Sequence, residues 1–162
     1  MRHRVPRLPA RVLIPDRAVS VGYVGLGNLG VHLAASLLRA GHTVTVTDLH
    51  PEAAAPLLAA GAHWADTAKA VGEASDVVFT CLPSPAAVNA VMCGPDGVLA
   101  GLRAGGTWID NSTNDRDETL RLAALAEAVG VRTLEAPVTG GVHKAAAGEI
   151  TAEPAEPIAA DA

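Results

Sequence analysis

Apolar residues along the chain switch repeatedly between two spacings. Val19, Val21, Tyr23 and Val24 form a short run of buried-strand type, and Leu29, Leu33, Leu37 and Leu38 then recur at helical spacing, with Ala34 and Ala35 between them. Ala40-Gly41-His42 supplies a helix stop, after which residues 43–47 alternate β-branched side chains and end on Asp48. The exchange continues downstream. Pro51 opens a helical segment over 51–60 that Gly61 ends, a short connection containing Trp64 follows, and 67–73 reads as helix. Residues 76–80 read as a buried strand running into Cys81-Leu82-Pro83; Pro85 starts a helix reaching about residue 93, and Gly94-Pro95-Asp96-Gly97 is a turn. A strand over 107–110 delivers Asn111-Ser112-Thr113, a helix over 114–129 carries Asp115, Asp117 and Glu118 at its positive end, and Gly130 caps it. A last strand over 131–134 enters Glu135-Ala136-Pro137-Val138-Thr139-Gly140-Gly141. Such alternation predicts an α/β fold, a Rossmann-type, doubly wound and mainly parallel sheet, occupying residues 18–151.

The flanks differ in kind. Residues 1–17 hold five arginines and three prolines without either period and are expected to form a disordered basic leader; residues 152–162 are expected to be a disordered tail. With one Phe, one Tyr and two Trp, a chain that is 49% hydrophobic must build its core from Val, Leu, Ile and Ala. A net charge of −5 gives no electrostatic reason for a nucleic acid or an anionic membrane as partner. No apolar run approaches the ~20 residues that span a bilayer, and the N-terminal stretch lacks the apolar core of a signal peptide, so a cytoplasmic location is expected. Cys81 and Cys93 are too few for a metal site and read as ordinary thiols; no metal is expected.

The chemistry concentrates between the first strand and the first helix. Gly25, Gly27 and Gly30 give the spacing G-x-G-x-x-G, which suits a tight turn, close approach of a pyrophosphate to backbone, and close helix packing in that order. The turn residues Gly25, Leu26, Gly27, Asn28, Leu29 and Gly30 are therefore candidate cofactor contacts, since the first amides of a helix lack internal acceptors and lie at the positive end of its dipole. Asp48 falls close to the expected ~20 residues beyond the turn, where a carboxylate accepts from ribose hydroxyls and repels a 2′-phosphate; NAD is expected in preference to NADP. The same position also suits a helix N-cap ahead of Pro51.

Four stretches together resemble the β-hydroxyacid dehydrogenase family, the group containing 3-hydroxyisobutyrate dehydrogenase, tartronate semialdehyde reductase and, more distantly, 6-phosphogluconate dehydrogenase. They are the glycine turn with its helix, Cys81-Leu82-Pro83, Asp110-Asn111-Ser112-Thr113, and the segment from Glu135 to Gly141 leading to Gly148. The resemblance implies that Leu82 and Pro83 lie against the cofactor, with Thr113 near its nicotinamide end. It implies that Thr139, Gly140 and Gly141 bind a substrate carboxylate, with Ser112 a weaker substrate candidate; N-capping of the next helix is an alternative task for Ser112 and Thr113. Intact relatives would be homo-oligomers acting on a small 3-hydroxy acid or its semialdehyde.

Three departures from the family pattern stand out. Asn114 follows where the family commonly has proline soon after its Ser-Thr pair; the strand expected after residues 148–151 gives way to the proline-rich tail; and the all-helical C-terminal domain, with the lysine that serves as general acid/base, is not found in the 162 residues. Only Lys69 and Lys144 are present, and neither matches that lysine; His143 reads as an exposed loop residue and His42 as structural. The expected function is thus an NAD-binding domain of a β-hydroxyacid dehydrogenase-like oxidoreductase, without a catalytic residue of its own. The alternative is a catalytically silent NAD-binding module or truncated gene product. An imine reductase shares this cofactor domain but is disfavoured by Asp48 and by residues 137–141.

Overall fold

Six parallel strands in the order β3-β2-β1-β4-β5-β6 form the central sheet of the computed structural model, which describes residues 19–139, 141–148 and 151–152. The leader expected at 1–17, and all of the tail expected at 152–162 except Ala152, lie outside the described residues. The elements in order are β1 (Ser20–Val24), α1 (Gly30–Arg39), β2 (Thr43–Thr47), a 3-10 turn (Pro51–Ala54), α2 (Ala55–Ala59), β3 (His63–Trp64), α3 (Ala68–Glu73), β4 (Val77–Thr80) and α4 (Pro85–Met92). Then follow α5 (Val98–Gly101), β5 (Thr107–Asp110), α6 (Arg116–Ala128), β6 (Arg132–Glu135), β7 (Val138–Thr139), α7 (Gly141–Ala147) and β8 (Thr151–Ala152).

The period-2 pattern sorts side chains onto two faces. On one, Tyr23, Val44 and Val46 pack with Ala34 of α1 and Leu57 of α2; on the other, Val24, Val78 and Trp108 pack with Val71, Val88, Met92, Val98 and Leu122 from α3 to α6. The strand order reverses between β1 and β4, since β1 pairs with β2 on one side and β4 on the other. In an open α/β sheet, ligands bind beyond the strand carboxyl ends at that reversal.

Local chemistry explains most boundaries. Thr67 and Ser84 each accept the N–H three residues on, at 3.0 and 3.1 Å, and so start α3 and α4, the latter with Pro85 in its first turn. Gly41, Gly61 and Gly130 carry positive φ where helices end. His42 is structural, its Nδ1 accepting the Val19 N–H at 3.4 Å.

Several expectations shift. The segment expected to be helical over 51–60 begins as a 3-10 turn, and α6 starts at Arg116 rather than at Asn114, because Asn114 turns its Oδ1 to the Asp115 N–H at 2.9 Å. Trp64 lies in strand β3 rather than in a plain connection. Ala152, expected to begin the tail, pairs instead with Val138 in the antiparallel ladder of β7 and β8, two short strands that precede and follow α7 in the chain. Among the described residues no helix is long and apolar enough to cross a membrane.

Leu122 is fully buried between α6 and the sheet. Leu122→Ala is expected to cost about 2–5 kcal/mol, read as a lower urea midpoint with unchanged denaturant slope.

Candidate functional site

The turn after β1 is shaped by what cannot fit there. Gly25 has φ of +97°, and a Cβ on it would overlap the Cys81 carbonyl oxygen at the end of β4; a Cβ on Gly30 would overlap the carbonyl oxygen of Gly25 itself. Gly30 therefore makes room for the backbone directly after β1, and its Cβ position lies 3.4 Å from Tyr23 of β1, in keeping with the close packing of helix on sheet expected there. Gly27 is different: an added Cβ meets nothing within 4 Å, so this glycine borders open space. The Gly25 N–H is taken by the Thr47 carbonyl at 3.2 Å, and no side chain caps α1. Among the described residues, the amides of Gly27, Asn28 and Leu29 have no acceptor, and they stand at the positive end of the helix.

Asp48 closes the second side. Its Oδ2 accepts the Leu26 N–H at 2.7 Å and its Oδ1 accepts the His50 N–H at 2.8 Å, so the carboxylate braces the glycine turn from the end of β2. It does not cap a helix: His50 precedes the 3-10 turn, without a side-chain cap. Each oxygen keeps a lone pair for another donor.

The third side is the segment 81–83. Leu82 is half-buried and Pro83 exposed, and the Leu82 N–H donates to Ser112 Oγ at 2.9 Å. Behind it, burial pushes the Asp110 carboxyl above its usual range, against hydrogen bonds from Ser112 and Thr80 and the neighbouring Asn114 amide, which favour the ionised form. Burial likewise pushes the Cys81 thiol up, and the Asp110 charge adds to this, which makes Cys81 a poor nucleophile.

These three sides enclose one cleft of about 720 Å³, lined by every expected residue from Gly25 to Gly30 together with Asp48, Leu82 and Pro83. The other expected residues do not line it. Thr113 is exposed at the sheet edge, and Ser112 is only 3% exposed, sits behind the wall and caps no helix. Thr139 ends β7 and Gly141 opens α7, while Gly140 lies outside the described residues. The cleft also takes in Asp66, Thr67 and Ala68, which no sequence motif marks. Their signal was Trp64 and its neighbours: once β3 is recognised, residues 66–68 fall at its carboxyl end. No Lys or Arg lines the cleft, and no cluster of three metal-ligating side chains occurs among the described residues.

A sheet of order 3-2-1-4-5-6 with a glycine turn, free helix amides and an acid at the second strand end defines a dinucleotide-binding α/β domain. The chain belongs to the family described as the NAD binding domain of 6-phosphogluconate dehydrogenase, whose pattern its residues 20–155 match. It is 41% identical over 131 residues to 3-hydroxyisobutyrate dehydrogenase of Pseudomonas aeruginosa, a match covering 81% of this chain and 44% of that protein. Its structure is similar to Mycobacterium tuberculosis 3-hydroxyisobutyrate dehydrogenase solved with L-serine, with TM-score 0.78 at 36% identity, covering 85% of this chain and 46% of that one. It is also similar to Psf3 in complex with NADP+ and 2-OPP, with TM-score 0.78 at 33% identity, covering 83% and 48%. The chain spans less than half the length of the curated dehydrogenases it matches. The resemblance to β-hydroxyacid dehydrogenases and the Rossmann-type fold are thereby borne out.

The two kinds of glycine should respond differently to alanine. Gly25→Ala is expected to destabilise by more than the ~1–3 kcal/mol of a strained φ, because a carbonyl also blocks its Cβ; Gly27→Ala is expected to leave the Tm unchanged, as thermal unfolding would show.

Proposed function

We propose that the cleft binds NAD in preference to NADP and that the chain is the cofactor half of an oxidoreductase interconverting a small 3-hydroxy acid and its semialdehyde. The carrying observation is the pairing of an open Gly27 backbone with a carboxylate, Asp48, braced on the same turn. The fit to a dinucleotide is good. The free amides of Gly27, Asn28 and Leu29 suit the pyrophosphate, Asp48 suits the adenosine ribose hydroxyls, and Leu82 and Pro83 offer an apolar wall to the rest of the cofactor. A 2′-phosphate would meet the Asp48 charge with no Lys or Arg lining the cleft to offset it. Bound cofactor would supply the hydride acceptor; the protein positions it.

Proton transfer is a separate matter. The titratable side chains lining the cleft are Asp48, His50, Asp66 and Cys81. Lys69 points to Glu73 on α3 at 3.7 Å, and Lys144 and His143 are exposed on α7. In this reading none of these serves as the general acid/base that alcohol oxidation needs. Thr113, Thr139, Gly140 and Gly141 remain the substrate-side residues of this proposal, with that group contributed from outside these 162 residues. Small carboxylate substrates, a soluble cytoplasmic setting and homo-oligomeric assembly belong to the same reading.

Calorimetric titration is expected to show NADH binding at least about tenfold tighter than NADPH, a difference of ~1.4 kcal/mol, with Asp48→Ala bringing the two together. Equal affinities in the unmodified protein would sink the assignment to Asp48. In the same samples, 3-hydroxy acids with NAD are expected to yield no NADH; clear turnover would show that the chain carries its own acid/base.

A further inference from the structure

The wall formed by residues 81–83 is tied to the interior by a chain of hydrogen bonds. Trp108 Nε1 donates to Thr80 Oγ1 at 2.9 Å, and Thr80 Oγ1 donates to Asp110 Oδ1 at 2.9 Å. The Ser112 N–H donates to the same Oδ1 at 3.0 Å, and Ser112 Oγ in turn accepts the Leu82 N–H at 2.9 Å. All four supporting side chains are buried, Asp110 at 2% exposure and Ser112 at 3%, so a ligand in the cleft meets Leu82 and Pro83 and none of the four behind them.

The position of the Leu82 amide gives this chain its significance. The parallel ladder ends one residue earlier, with the Cys81 N–H on the Val24 carbonyl, and the next anchored point is the Ser84 hydroxyl that caps α4. Between them, among the described residues, the bond to Ser112 Oγ is the single hydrogen bond that the backbone of 82 and 83 makes. Leu82 has no strand carbonyl available, and a side-chain oxygen from the end of the neighbouring strand takes that place. Asn114 adds to the arrangement: its Nδ2 and Asp110 Oδ2 are a complementary buried donor and acceptor outside the hydrogen bonds above, and the Asn114 amide favours the ionised Asp110 carboxyl.

Resting on the nucleotide reading above, we infer that Ser112, held by Asp110, is a positioning residue for the cofactor, setting the Leu82 amide and with it the wall against which the dinucleotide packs. Ser112 thus serves the cofactor side of the site from behind, without touching a ligand.

The 162-residue chain tests this with two readouts, amide hydrogen exchange at Leu82 and NADH affinity by calorimetry. Ser112→Ala is expected to speed Leu82 exchange and to weaken NADH binding on the order of tenfold, the loss of roughly one buried hydrogen bond. Ser75→Ala is the control. It also removes a buried, hydrogen-bonded hydroxyl, one that donates to the Val71 carbonyl just before β4 at the opposite sheet edge, and is expected to lower the Tm without changing NADH affinity. Asp110→Asn, nearly isosteric, should move both readouts in the direction of Ser112→Ala and carries the test if Ser112→Ala does not fold. Faster Leu82 exchange with unchanged NADH affinity would make Ser112 merely structural and overturn the inference, as would no change in either readout. Failure of the unmodified chain to bind NADH would overturn the nucleotide reading and this inference with it, whereas binding that Ser112→Ala leaves intact overturns the inference alone.

Discussion

Two backbone carbonyls, those of Cys81 and Gly25, stand where side chains on Gly25 and Gly30 would have to go. Neither can move aside cheaply. The Cys81 carbonyl lies just past the β1–β4 ladder, and Gly25 is itself tied to β2 through the Thr47 carbonyl. The ends of β1, β2 and β4 and the first turn of α1 are consequently one rigid unit, and the direction of the free helix amides follows from it. Asp48 enters the same unit through the Leu26 amide. Its role as a brace and its proposed role toward ribose are compatible, because a carboxylate that already accepts two backbone N–H bonds is held in place before a ligand arrives.

The electrostatics of the cleft follow from this use of backbone. A pyrophosphate needs positive potential, yet the chain is acidic and the lining holds Asp48 and Asp66 with no Lys or Arg. Only amides and the α1 dipole supply the attraction, and these are fixed in direction and close in range. Such a site favours an anion at one location and offers little elsewhere. This is the physical basis for expecting discrimination against a third phosphate near Asp48.

Much of the fold was legible because short runs of β-branched residues bounded by Gly or an acid have few other readings. Strands β2 and β5 fall where the sequence placed them, at 43–47 and 107–110. The elements that escaped notice are those held by tertiary contacts. Strand β3 has two residues and exists through its pairing with β2. Helix α5 has four, and depends on Gly101 admitting the Lys69 carbonyl of α3, a backbone approach that spacing alone does not reveal. The site shows the same division. Gly25, Gly27, Gly30 and Asp48 were readable because each has a local backbone or charge requirement. For Ser112 the sequence located a hydroxyl at the correct sheet edge, while its direction depends on the packing of β4 against β5, so it faces Leu82 from behind where a ligand contact was expected.

The cleft also divides along the two faces of the sheet. Leu26 belongs to the cluster under α1 and α2, whereas Leu82 packs on the cluster under α3 to α6. A dinucleotide spanning from Asp48 to Leu82 would bridge the ends of β2 and β4, two strands that β1 separates in the sheet. Binding energy would then appear as stability of the whole sheet, because the bound state exists only when both faces are packed. Proton transfer makes no such demand on this packing. Its chemistry needs one correctly placed titratable group, whereas the proposed cofactor contacts draw on the backbone amides of a whole turn and a carboxylate braced from the next strand.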